Sequence, residues 1–293
     1  MKIFHTFLMT LISYDLTDDL EYPLEFAEKQ EVINAIGSLK ILDPACGSGA
    51  YPIGALQKIV YILQQIDPDC TLWLELKLKG VQELYKQRII SDVKSNPFNY
   101  TRKLDIIENS IFGVDIQPIA VDVSRLRCFL TLVVESEVDD SKSNRGIKPL
   151  PNLDFKFVCA NTLIGLPISK DPATINAFED HSGIAELSKI MSEYFSCNSQ
   201  RKNEIKLKFT NLQKEILNRT LSAFGKNMGE LTQKLTLWDP FSNNSNSWFD
   251  PEWMFGLEEK FSIVIGNPPY GHHIRNVCTQ LCQGVTTFST VVN

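Results

Sequence analysis

The sequence predicts an α/β protein built on a doubly wound, mainly parallel sheet. Three observations carry this. A short apolar run, Leu39–Leu42, meets Asp43 and a glycine loop, after which a long apolar pattern begins at Ala50. The same order returns at Ser110–Asp115, followed by Ile119, Val123, Leu126, Leu130 and Val133 at helical spacing. Two more apolar runs, Phe155–Val158 and Phe261–Ile265, each end in a short polar motif. With 293 residues, 43% of them apolar and 22% charged, the chain has the composition of a globular protein of one large domain or two small ones.

The elements follow in order. Leu24, Ala27, Ile33 and Ile36 give a weak helical spacing, and Gly37 suits a helix end. Leu39–Leu42 reads as a buried strand. Ala50–Ile66 is apolar almost throughout, as expected of a helix packed on a sheet. Residues 67–107 form a more polar helical region, read as an insertion, with Trp73, Leu76, Leu84 and Ile89 as its apolar marks. Glu137–Lys148 and Asn243–Ser247 are polar loops. Residues 168–237 form a second helical insertion, in which Ile205, Phe209, Leu212, Ile216 and Leu221 mark a helix. The expected organisation is an N-terminal helical segment over 1–38, a core over 39–271 and an off-pattern tail over 272–293.

Charge and cysteine content narrow the function. The formal net charge is −6, so the surface as a whole does not resemble one that grips nucleic acid. Residues 201–234 are the exception, with eight basic against three acidic side chains, a local charge of +5. Any contact with phosphates is therefore local, or made by a part outside this chain. Seven cysteines, an odd number mostly placed singly among apolar residues, point to a reducing, cytoplasmic setting rather than a disulfide framework. No apolar run reaches the ~18 residues of a membrane span, so no membrane partner is expected. Met1–Ser13 carries Ile3, Phe4, Phe7, Leu8, Leu11 and Ile12, but no Ala-x-Ala site follows it, only the acidic stretch Asp15–Glu25. It reads as a buried or docking helix rather than a leader.

Four motifs stand at predicted strand ends, where ligands of open α/β sheets bind. The first is Asp43-Pro44-Ala45-Cys46-Gly47-Ser48-Gly49. Its glycines allow backbone to approach a ligand, and its turn N–H groups can meet an anion. Pro52 stands where a dinucleotide fingerprint needs its third glycine, which argues against NAD. The second is Gly113-Val114-Asp115-Ile116, whose carboxylate suits two ribose hydroxyls or, equally, the N-cap of the helix near Pro118. The third is Cys159-Ala160-Asn161-Thr162-Leu163; Asn161 offers the donors and acceptor that read an adenine edge, or it is a turn residue. The fourth is Asn267-Pro268-Pro269-Tyr270. Its prolines stiffen the turn and hold an amide and a carbonyl that together accept both hydrogens of an exocyclic amine, while a tyrosine face stacks on a flat base.

Taken in this order, the four motifs resemble those of S-adenosylmethionine-dependent DNA adenine-N6 methyltransferases of the type IIG restriction–modification and phage-defence kind. The resemblance covers about Ile41 to Gly271 and includes Gln117-Pro118-Ile119-Ala120, Pro151-Asn152-Leu153-Asp154-Phe155 and Phe249-Asp250-Pro251-Glu252-Trp253-Met254-Phe255. It implies a Rossmann-like methyltransferase core. The resemblance further implies S-adenosylmethionine held by Asp43, Pro44, Ala45, Cys46, Gly47 and Gly49, with Tyr51 beside it. Asp115 would hold its ribose, Ile116 would lie against its adenine ring and Asn161 would meet its adenine edge. Asn267, Pro268, Pro269 and Tyr270 would form the catalytic turn, gripping an adenine flipped out of double-stranded DNA. Cys46 lies inside the cofactor loop and is not expected to act as a nucleophile.

The pattern stops after Gly271. The expected reading is an incomplete core, with a downstream polypeptide supplying the remaining strands and the target-recognition domain. Alone, such a chain is expected to show little or no DNA methylation. His272, His273, Cys278 and Cys282 fit no usual zinc spacing, and no metal is expected. A ribosomal-RNA guanine methyltransferase, a protein-glutamine methyltransferase and an inactive cofactor-binding fragment remain alternatives.

Overall fold

A computed structural model describes residues 24–79, 97–141, 143–147, 151–165, 181–224, 238–242, 244–257 and 260–267, together with positions 86, 87, 90 and 93. Helix α1 spans Phe26–Ser38, strand β1 Ile41–Asp43 and helix α2 Ala50–Ile66. Helices α3 (Thr71–Leu78) and α4 (Phe98–Asn109) precede β2 (Ile111–Asp115), and α5 (Pro118–Val133) follows it. Strand β3 is Phe157–Cys159. Helices α6 (His181–Ser196), α7 (Ser199–Phe224) and α8 (Pro251–Phe255) then lead to β4 (Ile263–Val264).

The four strands form one parallel sheet in the order β3-β2-β1-β4. Pairing aligns Ile41 with Ile111 and with Ile263, and Gly113 with Phe157. Successive side chains alternate between two cores, as strand geometry requires. Ile41, Ile111 and Phe157 join one core with residues of α1 to α5. Leu42, Phe112, Val114 and Val158 join the other, with α6, α7 and α8. The helices of both long segments between strands thus help to cover the sheet. This is the doubly wound parallel α/β architecture that the motif order predicts.

Local chemistry explains several joints. Buried Asp67 accepts N–H bonds from Thr71, Leu72 and Trp73, capping α3. It also pairs with fully buried Arg102 of α4 at 3.8 Å, which ties α4 to the end of α2. The strand predicted at Phe155–Val158 begins two residues later than expected. Phe155 sits in a turn instead and packs against the rings of Tyr194, Phe209 and Phe241. The polar loop at 243–247 touches the sheet through Asn246. Its N–H donates to Cys159 O and its carbonyl accepts from Asn161 N–H, both at 2.9 Å.

Helix α5 forms where its spacing predicts, but the spaced residues are not its buried face. Val121, Ser124, Cys128 and Leu132 face the core, whereas Ile119, Val123, Leu126 and Leu130 are exposed. Gly113 permits close packing beneath this helix: a Cβ there would stand 2.6 Å from the Phe157 ring and 3.2 Å from Cys46 Cβ. Gly113→Ala should therefore destabilise the fold by about 1–3 kcal/mol through overpacking. A lower midpoint in urea unfolding, with the slope unchanged, is the expected result.

Candidate active site and its family

The carboxyl ends of the strands meet around the turn between β1 and α2. Gly47 and Gly49 adopt φ of +53° and +79°, which side chains disfavour. The Cys46 N–H donates to Val114 O at 2.8 Å, stitching the turn to β2. From α5, Ser124 Oγ donates to Gly47 O at 3.0 Å. A Cβ on Gly49 would lie 2.9 Å from that hydroxyl. Around Gly47 the same test meets nothing within 4 Å, so this stretch of backbone is open to an approaching group.

Asp115 closes the turn from the β2 side. Its Oδ2 accepts the Gly47 N–H at 2.8 Å and its Oδ1 accepts the Gln117 N–H at 2.9 Å. Gln117, not Asp115, is the N-cap residue of α5. The carboxylate thus bonds to the glycine turn, rather than capping the helix as the competing reading has it. Ile116, just after it, is 55% exposed. Beyond β3, Asn161 Oδ1 accepts the Leu163 N–H at 3.0 Å, a turn bond. Thr162 Oγ1 donates to Pro44 O at 3.0 Å, joining this loop to the first.

Asp43 is the group whose environment stands out. It is 1% exposed, and only Oδ1 is engaged, by the Ala45 N–H at 3.1 Å. Oδ2 is buried with no hydrogen-bond partner among the described residues. Burial, reinforced by the Asp115 charge, pushes its carboxyl up to about 7 despite the opposing Ala45 bond. Gly266, after β4, passes so close that a Cβ there would meet Asp43 Oδ1 at 2.6 Å. That approach brings Asn267, which is exposed, to the same end of the sheet. Burial pushes the Cys46 thiol up to about 12, so it stays protonated and unreactive at neutral pH.

The site therefore joins Asp43, Pro44, Ala45, Cys46, Gly47, Gly49 and Asp115 directly, with Asn161 and Asn267 on neighbouring strand ends. Tyr51 lies in the first turn of α2, partly buried. Pro268, Pro269 and Tyr270 lie outside the described residues, as do His272, His273, Cys278 and Cys282. Ser124, Thr162 and Gly266 belong to the site but carry no separable signal in sequence. Position could have drawn attention to Thr162, which lies inside the third motif, and to Gly266, which directly precedes the fourth. A cavity of about 200 Å³ opens at the opposite end of the strands, between Lys40, Glu108 and Lys156, and none of the strand-end motif residues lines it.

The Asp43 environment has a pH signature. The folded chain holds this proton more tightly than the unfolded chain, whose carboxyl titrates near 3.8. The resulting stability is complete below about pH 4 and is lost as pH rises through about 7. Asp43→Asn removes the buried charge but leaves an amide to satisfy. It should be the more stable protein above pH 8, by about 1–3 kcal/mol. Thermal unfolding of both proteins between pH 4 and about 9 is the check, with the two curves expected to converge toward low pH.

Comparison with known sequences gives the family. The model of the Eco57I restriction-modification methylase family matches residues 109–282, more than half of the chain. The chain belongs to that family. The Eco57I methylase match begins at Asn109, so it includes β2, β3, β4 and the Asn267 motif, while β1 and the glycine turn lie upstream of it. A protein of Methanocaldococcus jannaschii designated a type II restriction enzyme and methyltransferase is 31% identical over 159 residues. That alignment takes in 53% of this chain and 11% of the relative, so the chain spans about a tenth of the relative's length. No solved structure matches the chain. Among the described residues, no helix of this Eco57I-type chain is long and apolar enough to cross a membrane.

Proposed function

We propose that this chain is the catalytic core of a site-specific DNA adenine-N6 methyltransferase of a restriction–modification system, with S-adenosylmethionine as methyl donor. The observation that carries the proposal is the buried, half-engaged Asp43 carboxylate between the glycine turn and the end of β4. The orphaned carboxylate oxygen of Asp43 and the open backbone at Gly47, four residues on in the same turn, suit a cationic ligand whose polar end lies along a turn. Asp115 remains an acceptor for ribose hydroxyls, since each of its oxygens receives one bond here and has capacity for more. Exposed Ile116 offers an apolar surface to an adenine ring.

S-adenosylmethionine, when bound, supplies a methyl group activated by its sulfonium. The remaining work falls to the protein. The amide oxygen of Asn267 and the carbonyl of Pro268 accept the two hydrogens of the target amine. This favours a pyramidal nitrogen and stabilises its developing positive charge. Tyr270 stacks on the flipped base, and holding amine and methyl in line supplies the orientation the transfer needs. The basic segment at 201–234, carried in part by α7, offers phosphates a local contact on an otherwise acidic chain. Further DNA contacts, including target recognition, are assigned to the rest of a longer polypeptide or to a partner chain.

Methyl transfer from tritiated S-adenosylmethionine, with duplex DNA, ribosomal RNA and glutamine-bearing protein offered in parallel and the labelled nucleoside or amino acid identified, tests the proposal. Label in N6-methyladenine is the expected result. Label in RNA guanine or in a protein glutamine instead would replace the proposed substrate.

A further inference from the structure

The face of α5 turned away from the core is apolar along its whole length. Ile119, Val123, Leu126, Leu130 and Val134 are exposed by between 37% and 76%, while Val121, Ser124 and Cys128 on the other side are fully buried. The spacing of Ile119, Val123, Leu126, Leu130 and Val133 alternates four and three, the seam that accepts a second helix. Single exposed apolar residues are ordinary on a soluble surface, but a continuous stripe is the mark of a covered face.

We infer that the N-terminal segment Met1–Ser13 of the same chain docks along this stripe. Met1, Phe4, Leu8 and Leu11 alternate three, four and three, the complementary seam, with Ile3, Phe7 and Ile12 flanking it. A helix over residues 1–12 would be about 18 Å long, against about 22 Å for the stripe from Ile119 to Val133. Reach is sufficient. Helix α1 packs against α4, and α4 packs against α5, so the connection passes α4 and then α5, whose outer face carries the stripe. Three interhelical spacings, out to a helix seated on the outer face of α5, are about 30 Å. The ten residues from Tyr14 to Pro23, extended, span about 33 Å. Their acidic character keeps that connection in water, leaving the apolar segment ahead of it to find a surface.

A photo-crosslinking benzoylphenylalanine in place of Leu126, in the full 293-residue chain, tests the docking. Adducts mapped to residues 1–13, on a band of monomer mass, are expected. Adducts joining two chains would assign the stripe to a second copy and overturn the inference, as would absence of any adduct to residues 1–13. Hydrogen exchange gives an independent reading. Amides of residues 3–12 should exchange at least about tenfold more slowly than in the free peptide. The double substitution Leu126→Asp/Leu130→Asp should remove that protection while leaving α2 unchanged. Unprotected residues 3–12 in the wild type, or protection indifferent to the double substitution, would also overturn it. Should the double variant disturb α2, the cross-link alone decides.

Discussion

Asn267→Ala should lower methyl transfer to DNA on the order of a hundredfold or more, with affinity for S-adenosylmethionine changed by less than about twofold. The measurement belongs to whichever form of the protein methylates DNA, whether this chain or a longer one. The two halves of the expectation come from different strands. Asn267 follows β4, whereas the residues assigned to the cofactor follow β1, β2 and β3. Removing an amide that acts on the target amine should therefore leave the cofactor residues in place. Single-turnover transfer and calorimetric cofactor binding separate the two halves. A variant that loses cofactor affinity and transfer in equal measure would move Asn267 from the target to the cofactor.

Asp115→Ala should weaken S-adenosylmethionine binding by about 1.5–3 kcal/mol, roughly ten- to a hundredfold. The structure gives the carboxylate a second reason to matter. Its Oδ2 holds the Gly47 N–H at 2.8 Å, so alanine also releases the glycine turn. Asp115→Asn should lie between alanine and the wild type, because one oxygen remains to accept a bond. Titration calorimetry with the three proteins decides the order. Equal affinities for aspartate and alanine would remove Asp115 from the cofactor site.

Much of this architecture is legible in the sequence, for reasons that differ by element. Helix α2 is read to the residue, Ala50–Ile66, because its apolar pattern is continuous and a glycine turn bounds it. The strand ends are legible because each carries a polar motif immediately after an apolar run. Orientation is less so. The apolar spacing of α5 is correct, yet the core receives Ser124 and Cys128 while Leu126 and Leu130 face outward. A helix with apolar residues on two sides has a period but no single direction, so periodicity alone does not say which side meets the sheet. Strand β3 shows a related ambiguity, since Phe155 is apolar for the sake of an aromatic cluster rather than the ladder.

Within the site, the glycines and acids were readable from their positions, whereas Ser124 was not, and Thr162 was marked only by its place in the third motif. Hydroxyl residues are common on any surface. Only the fold brings Ser124 to Gly47 O and Thr162 to Pro44 O, and these partners lie 77 and 118 residues away in the chain. The unpartnered oxygen of Asp43 is likewise a property of burial and not of the motif.

The pairing of β4 with β1 joins Ile41 to Ile263 and Leu42 to Val264 across more than two hundred residues. A ribosome releases the chain from its amino end, so β1, β2 and β3 have all emerged by about residue 160 and can pair with one another. The β4 flank of β1 must wait for another hundred residues, through the whole of α6, α7 and α8. Closing so long a loop costs conformational entropy that two ladder pairs only partly offset. The residues assigned to the cofactor are thus available during synthesis well before Asn267 is. A methyl donor present at that stage has a half-built pocket to occupy, and its occupancy would favour the nascent sheet to which the last strand must add.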